Sequence, residues 1–102
     1  MAKSRIELDA VLRDILENDH CYFQPPESVK LKYPCIIYER SRFENRPADD
    51  IPYLTYKGYT LTVIYKNPDS DLPDKIESLP MCSFDRHYTA DNLNHDIFTI
   101  YW

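Results

Sequence analysis

Phe84-Asp85-Arg86-His87-Tyr88-Thr89-Ala90-Asp91-Asn92-Leu93-Asn94-His95-Asp96-Ile97-Phe98-Thr99-Ile100-Tyr101-Trp102 is the stretch whose reading decides the fold. It reads as two strands, Cys82–Tyr88 and Asp96–Trp102, joined by a polar turn. Chain ends fray and usually carry small or polar residues. The alternating run from Phe98 to Trp102 is too apolar for that, so we expect this terminus to be built into a sheet with Phe98, Ile100 and Trp102 anchoring it. The link from Thr89 to Asp96 is longer than a tight hairpin requires. Its polar residues Asp91, Asn92, Asn94 and His95 are expected to face a partner, with His95 a contact residue and not a catalytic base.

Working outward, Ser4 and Glu7 form a capping box that opens a helix from about Arg5 to Asn18. Leu8, Val11, Leu12, Ile15 and Leu16 make one apolar stripe, and Glu7, Asp9, Arg13, Asp14 and Glu17 fall on the wet face. Cys21 to Ser28 reads as an extended connection, because Pro25 and Pro26 fix φ and remove donors. Val29 and Leu31, alternating with Lys30 and Lys32, permit a short edge segment. Cys35–Arg42 is a strand on its β-branched and aromatic content. Glu44 to Pro52 is a polar, proline-broken loop. A second strand spans Tyr56–Tyr65, with Tyr59, Leu61, Val63 and Tyr65 on one face and Thr60, Thr62 and Ile64 on the other. Asn67 to Pro73 is a turn into a short helix from Pro73 to Leu79, stopped by Pro80. Sequential strands with short links pair antiparallel, and helices cover one face. The expected architecture is therefore a single α+β domain, residues 1–102, in the order α-β-β-α-β-β. Its sheet would be four-stranded and mainly antiparallel, with two helices packed on one face.

Composition excludes several functions. The 102 residues are 43% hydrophobic and 28% charged, which suits a globular chain. A single glycine argues against phosphate-cradling loops. A net charge of −5 disfavours gripping nucleic acid or a membrane surface. Nine tyrosines suit half-buried sheet faces and interfaces. Three cysteines without close pairing, and no signal-peptide pattern or long apolar segment, lead us to expect reduced thiols in a cytoplasmic protein.

No constellation reads as catalytic, cofactor-binding or metal-binding. Asp69-Ser70-Asp71-Leu72-Pro73-Asp74 resembles a calcium loop only at first, since an EF-hand needs glycine sixth and glutamate twelfth, where Asp74 and Pro80 stand. The acids are better read as caps for a helix start. His20, His87, His95 and the cysteines lack zinc-ligand spacing. Cys82, Asp85 and His87 invite a nucleophilic drawing, but five residues of regular strand put Cys82 and His87 on opposite faces about 16 Å apart. Around the long loop, Arg40, Arg42, Glu44, Arg46, Asp49 and Asp50 form a mixed-sign cluster. With Tyr53 beside them they suit a subunit or partner interface, where charges fix register and aromatics anchor.

The run Tyr22-Phe23-Gln24-Pro25-Pro26-Glu27-Ser28-Val29-Lys30-Leu31-Lys32-Tyr33-Pro34-Cys35-Ile36-Ile37-Tyr38 resembles a family of small bacteriophage tail terminator proteins, also called tail completion, head-tail joining or minor capsid proteins. Tyr59 to Ile64, Pro68-Asp69-Ser70, Leu79 to Cys82, Phe84-Asp85-Arg86 and Ala90 to Tyr101 continue the match in order. The resemblance implies a homo-oligomeric, hexameric ring on the head-proximal end of a tail tube. Such a ring stops tube growth and meets the neck and head completion proteins, with DNA passing through its lumen without specific binding. It implies a non-enzymatic virion component assembled in the host bacterial cytoplasm, with no cofactor and no membrane. Two other readings fit the residues: a neck stopper or adaptor on the head side, and a non-viral protein-binding module using an exposed strand edge.

Overall fold

The computed structural model describes residues 4–45 and 55–102. Helix α1 spans Arg5–Leu16. Ser4 Oγ accepts the Glu7 N–H at 3.2 Å, which caps the helix, and donates to the Glu7 carboxylate at 3.2 Å, so the two residues of the expected capping box meet through their side chains. Glu17 adopts the left-handed conformation (φ 61°), and its N–H bonds the Arg13 carbonyl at 2.9 Å, ending the helix before Asn18. Leu8, Leu12 and Leu16 form its buried stripe.

Five strands follow: β1 (Cys21–Phe23), β2 (Cys35–Asn45), β3 (Thr55–Tyr65), β4 (Cys82–Ala90) and β5 (Leu93–Tyr101), with α2 (Leu72–Glu77) between β3 and β4. They form one five-stranded sheet in the order β1-β2-β3-β5-β4. This corrects the expected four-stranded, mainly antiparallel sheet and the α-β-β-α-β-β order. The sheet is mixed, because β1 runs parallel to β2, with Cys21 opposite Ile36 and Phe23 opposite Tyr38. Three residues ahead of two prolines carry no strand periodicity, so β1 read as part of a connection. Its identity comes from hydrogen bonds that only tertiary structure supplies: Ile36 N–H to the His20 carbonyl at 3.0 Å and Gln24 N–H to the Tyr38 carbonyl at 2.9 Å. The crossover from β1 to β2 is the extended 24–34 segment, which contains the cis Tyr33–Pro34 bond and no helix.

The β4–β5 link also differs from expectation. The strands meet at Ala90 and Leu93, and Asp91 and Asn92 alone make the turn, both at positive φ (54° and 63°). Two left-handed residues define a hairpin turn whose twist matches the strands, and Asp and Asn reach that region without glycine. Asn94 and His95 therefore belong to a strand and not to a loop.

One face of the sheet carries the core. Ile36, Tyr38, Tyr59, Leu61, Val63, Tyr65, Phe98, Ile100 and Trp102 pack with Leu8, Leu12 and Leu16 of α1 and Leu72 and Ile76 of α2. Phe23, Tyr38 and Tyr59 add tilted and edge-on ring contacts at 5.0 to 6.5 Å. The carboxyl-terminal tryptophan is buried; it exchanges two backbone bonds with Lys57 and donates its indole N–H to the Ser4 carbonyl at 3.0 Å. The chain's last side chain is thus tied to the cap of its first helix.

Candidate functional site

Those of the expected interface residues that are described fall into two groups at opposite ends of β3. β1 stops at Phe23 opposite Tyr38, and β5 stops at Tyr101 opposite Gly58. Beyond those points β2 and β3 continue as a two-stranded arm, pairing Phe43 with Lys57, Glu44 with Tyr56 and Asn45 with Thr55. Arg40 is exposed where the arm leaves the sheet, and its backbone N–H bonds Gln24 Oε1 at 3.2 Å. Arg42 and Glu44 lie within the arm, just past a register shift between Arg40 and Arg42. Arg46, Asp49, Asp50 and Tyr53 lie outside the described residues. At the other end, Tyr65 pairs with Asn94, placing the Asp91–Asn92 turn beside the close of β3. The ten residue steps from Thr55 to Tyr65 separate the two groups by about 33 Å.

Of the four residues expected to face a partner at the turn end, Asp91 and Asn92 are exposed and Asn94 and His95 are half-buried. Asn94 turns back and donates to the Tyr65 and Lys66 carbonyls, each at 3.4 Å, which braces β5 against β3. The His95 ring stacks flat on Tyr88 (4.7 Å between centroids, 10° between planes), and its Nδ1 lies 3.2 Å from the Leu93 carbonyl. Asn94 is thus engaged with the end of β3, and His95 within the hairpin.

A cluster that sequence reasoning missed sits beside this hairpin. Asp96 is 5% exposed, accepts the Tyr65 hydroxyl at 2.8 Å and faces His87 Nδ1 at 2.5 Å. The register explains the arrangement: a bulge between Phe84 and Arg86 shifts the phase of β4. Phe84 then stands opposite Phe98 and His87 opposite Asp96, so Cys82, Phe84 and His87 share the helix-side face. A regular strand would put Cys82 and His87 on opposite faces, as expected from their spacing; the bulge puts them on the same face instead. Cys82 nevertheless pairs with Ile100, four positions along β5 from Asp96, or about 13 Å away. The sequence held one usable clue: Asp96 is in phase with Phe98 and Ile100, which marks it as an inward-facing acid.

Tyr65, Ser70, Asp74, Glu77, Phe84 and Asp96 help line a depression of about 360 Å³ at this point. Burial, reinforced by the bond to Asp96, pushes the Tyr65 hydroxyl up to about 12. A histidine held by a buried carboxylate is the base half of a nucleophilic site. A hydroxyl or thiol bonded to the imidazole would complete such a site, and among the described residues none is. The cluster ties edge strand β4 to β5 and β3.

A second polar hub closes the opposite edge. Asp9 and Arg13, expected on the wet face, lie over β1. Asp9 accepts Arg13 Nε at 2.5 Å and the Tyr38 hydroxyl at 2.5 Å, and Arg5 stands 3.8 Å away. Arg13 also donates to the Cys21 carbonyl at 3.2 Å and the Asp19 carbonyl at 3.3 Å. Burial alone would raise the Asp9 carboxyl, but Tyr38 and Arg13 outweigh it and hold it below its ordinary value. On the face away from the helices, a groove of about 350 Å³ runs between the 24–31 segment and the sheet, with Pro25, Pro26, Val29, Leu31, Ile37 and Thr62 among its walls.

Among the described residues, no group of His, Cys, Asp or Glu is arranged to hold a metal ion. The acids of the 69–74 turn are expected to cap a helix start, but Asp71, at the N-cap of α2, makes no side-chain capping bond and stands 3.6 Å from Lys75, while Ser70 Oγ accepts the Leu72 N–H at 3.2 Å. No helix among the described residues is long and apolar enough to cross a membrane. Compared with family models, with curated proteins and with solved structures, the chain matches none.

Proposed function

We propose that this chain is the subunit of a bacteriophage tail terminator ring, a non-enzymatic virion part that caps the head-proximal end of the tail tube and joins it to the neck. What supports this proposal is the resemblance of the residues between Tyr22 and Tyr101, taken in order, to that family.

The disposition of the two polar groups supports it. A closed ring of identical subunits needs a heterologous interface, in which two different patches of one subunit meet on its neighbours. The arm end of β3 and the Asp91–Asn92 end are two such patches, about 33 Å apart. In this account Arg40, Arg42, Glu44, Arg46, Asp49, Asp50 and Tyr53 meet a neighbouring subunit or the tail tube protein. Asp91 and Asn92 meet the next subunit or a neck protein. A net charge of −5 suits a lumen that lets DNA pass without retaining it.

Reversing charge at Arg42 and Arg46 (R42E/R46E) tests the arm. Phage carrying the double variant should produce tails of uncontrolled length, seen by negative-stain microscopy. Tails of normal length at normal yield would overturn the assignment of the arm to the ring interface.

A further inference from the structure

The two edges of the sheet are built differently. At β1, three residues long, Arg13 covers the outward carbonyl of Cys21. At the other edge, β4 runs nine residues with no strand beyond it among the described residues, and every residue from Ser83 to Ala90 is exposed. Phe84 on the helix-side face is 47% exposed and Tyr88 on the far face is 43% exposed. A long edge of unpaired backbone groups flanked by exposed rings is a template for another strand.

The middle of β4 limits which strand can pair there. The bulge sets both Asp85 and Arg86 opposite Ile97, so an acid and a base stand side by side on one face. Neither side chain has an ion pair or hydrogen bond among the described residues. A bulge and adjacent opposite charges repel an arbitrary flat strand. They match one sequence well: the same strand reversed.

We propose that β4 is a self-recognition edge, pairing antiparallel with β4 of a second copy across a two-fold axis beside the bulge. In that arrangement Asp85 of one copy meets Arg86 of the other, and the contact is repeated by symmetry. Phe84 comes opposite His87 and Ser83 opposite Tyr88, so rings exposed on both faces are covered. The result is a continuous ten-stranded sheet in which both outer edges are the covered β1 strands. The paired residues 83–88 lie outside the arm and the Asp91–Asn92 turn, so the contact joins two free subunits through a surface that the ring proposal does not assign.

Sedimentation equilibrium of the purified chain at micromolar concentration tests the proposal. The expected species has twice the 12.2 kDa chain mass. D85R and R86D should each raise the dimer dissociation constant at least tenfold, and the swapped double variant D85R/R86D should restore it. A persistent monomer, a six-subunit mass unchanged by single reversals, or a double variant no better than the singles would each overturn the proposal. A second readout is geometric. R86C lies near the axis and should form a disulfide-linked dimer on air oxidation, whereas the exposed S28C on the 24–34 segment should not. Equal cross-linking of both, or of neither, would contradict the pairing.

Discussion

Removing the Tyr65 hydroxyl tests whether the Asp96 cluster is an internal anchor. Tyr65→Phe keeps the ring in the core and deletes one 2.8 Å hydrogen bond to a carboxylate that is 5% exposed. A bond to a charged acceptor contributes about 1.5–3 kcal/mol. The expected loss is therefore about 2 kcal/mol, which in a domain of this size lowers the melting temperature by about 10 °C. His87→Ala should cost less, about 1 kcal/mol, because that side chain is 44% exposed and water can replace it. The two partners bind different oxygens of one carboxylate, so a double-mutant cycle should show coupling of about 0.5–1 kcal/mol. Tyr65→Phe should also flatten the alkaline limb of stability. A hydroxyl pushed up to about 12 contributes stability that is complete below pH 10 and lost as pH rises through about 12. Urea titrations followed by circular dichroism measure all of this. A Tyr65→Phe loss below about 0.5 kcal/mol would refute the reasoning, because the carboxylate would then be satisfied by solvent.

Three further outcomes follow from the same contacts. Trp102→Ala should destabilise by about 3–5 kcal/mol in urea titration, since it empties a core site and frees the Ser4 carbonyl. The Asp9 carboxyl, held below its ordinary value, contributes stability at pH values above the carboxylate range that is lost as pH falls through its folded value. The melting temperature should therefore fall more steeply from pH 7 to pH 3 for the native chain than for Asp9→Asn. Burial pushes the Cys21 thiol up to about 12 and the Cys35 and Cys82 thiols up to about 11. A chromogenic disulfide at pH 8 should label the native chain slowly and all three thiols rapidly in denaturant.

How far the sequence reveals this molecule depends on how local each determinant is. Helix α1 was legible from Ser4 and Glu7, whose capping bonds span three residues. The core faces of β3 and β5 were legible because Tyr59, Leu61, Val63, Phe98 and Ile100 repeat with the period of the pleat. β1 was not, because a three-residue strand is specified by its partner and not by its own pattern. The bulge at Asp85 was equally silent, and one inserted residue turned His87 from the expected far face towards Asp96. Of the expected interface residues, Asp91 and Asn92 stand exposed at a turn, while Asn94 is engaged with the end of β3 and His95 within the hairpin. The Asp9 hub illustrates the same limit. A wet-face acid on a helical wheel becomes half-buried once a strand edge lies over it.

The most direct test of the terminator proposal is to add the purified chain to tail tube protein from the same phage while the tube polymerises. Negative-stain images then give the length distribution and the appearance of tube ends. The account predicts that tubes stop growing in proportion to added chain, with a six-fold ring of extra density at one end. An unchanged length distribution and bare ends at molar excess would contradict it.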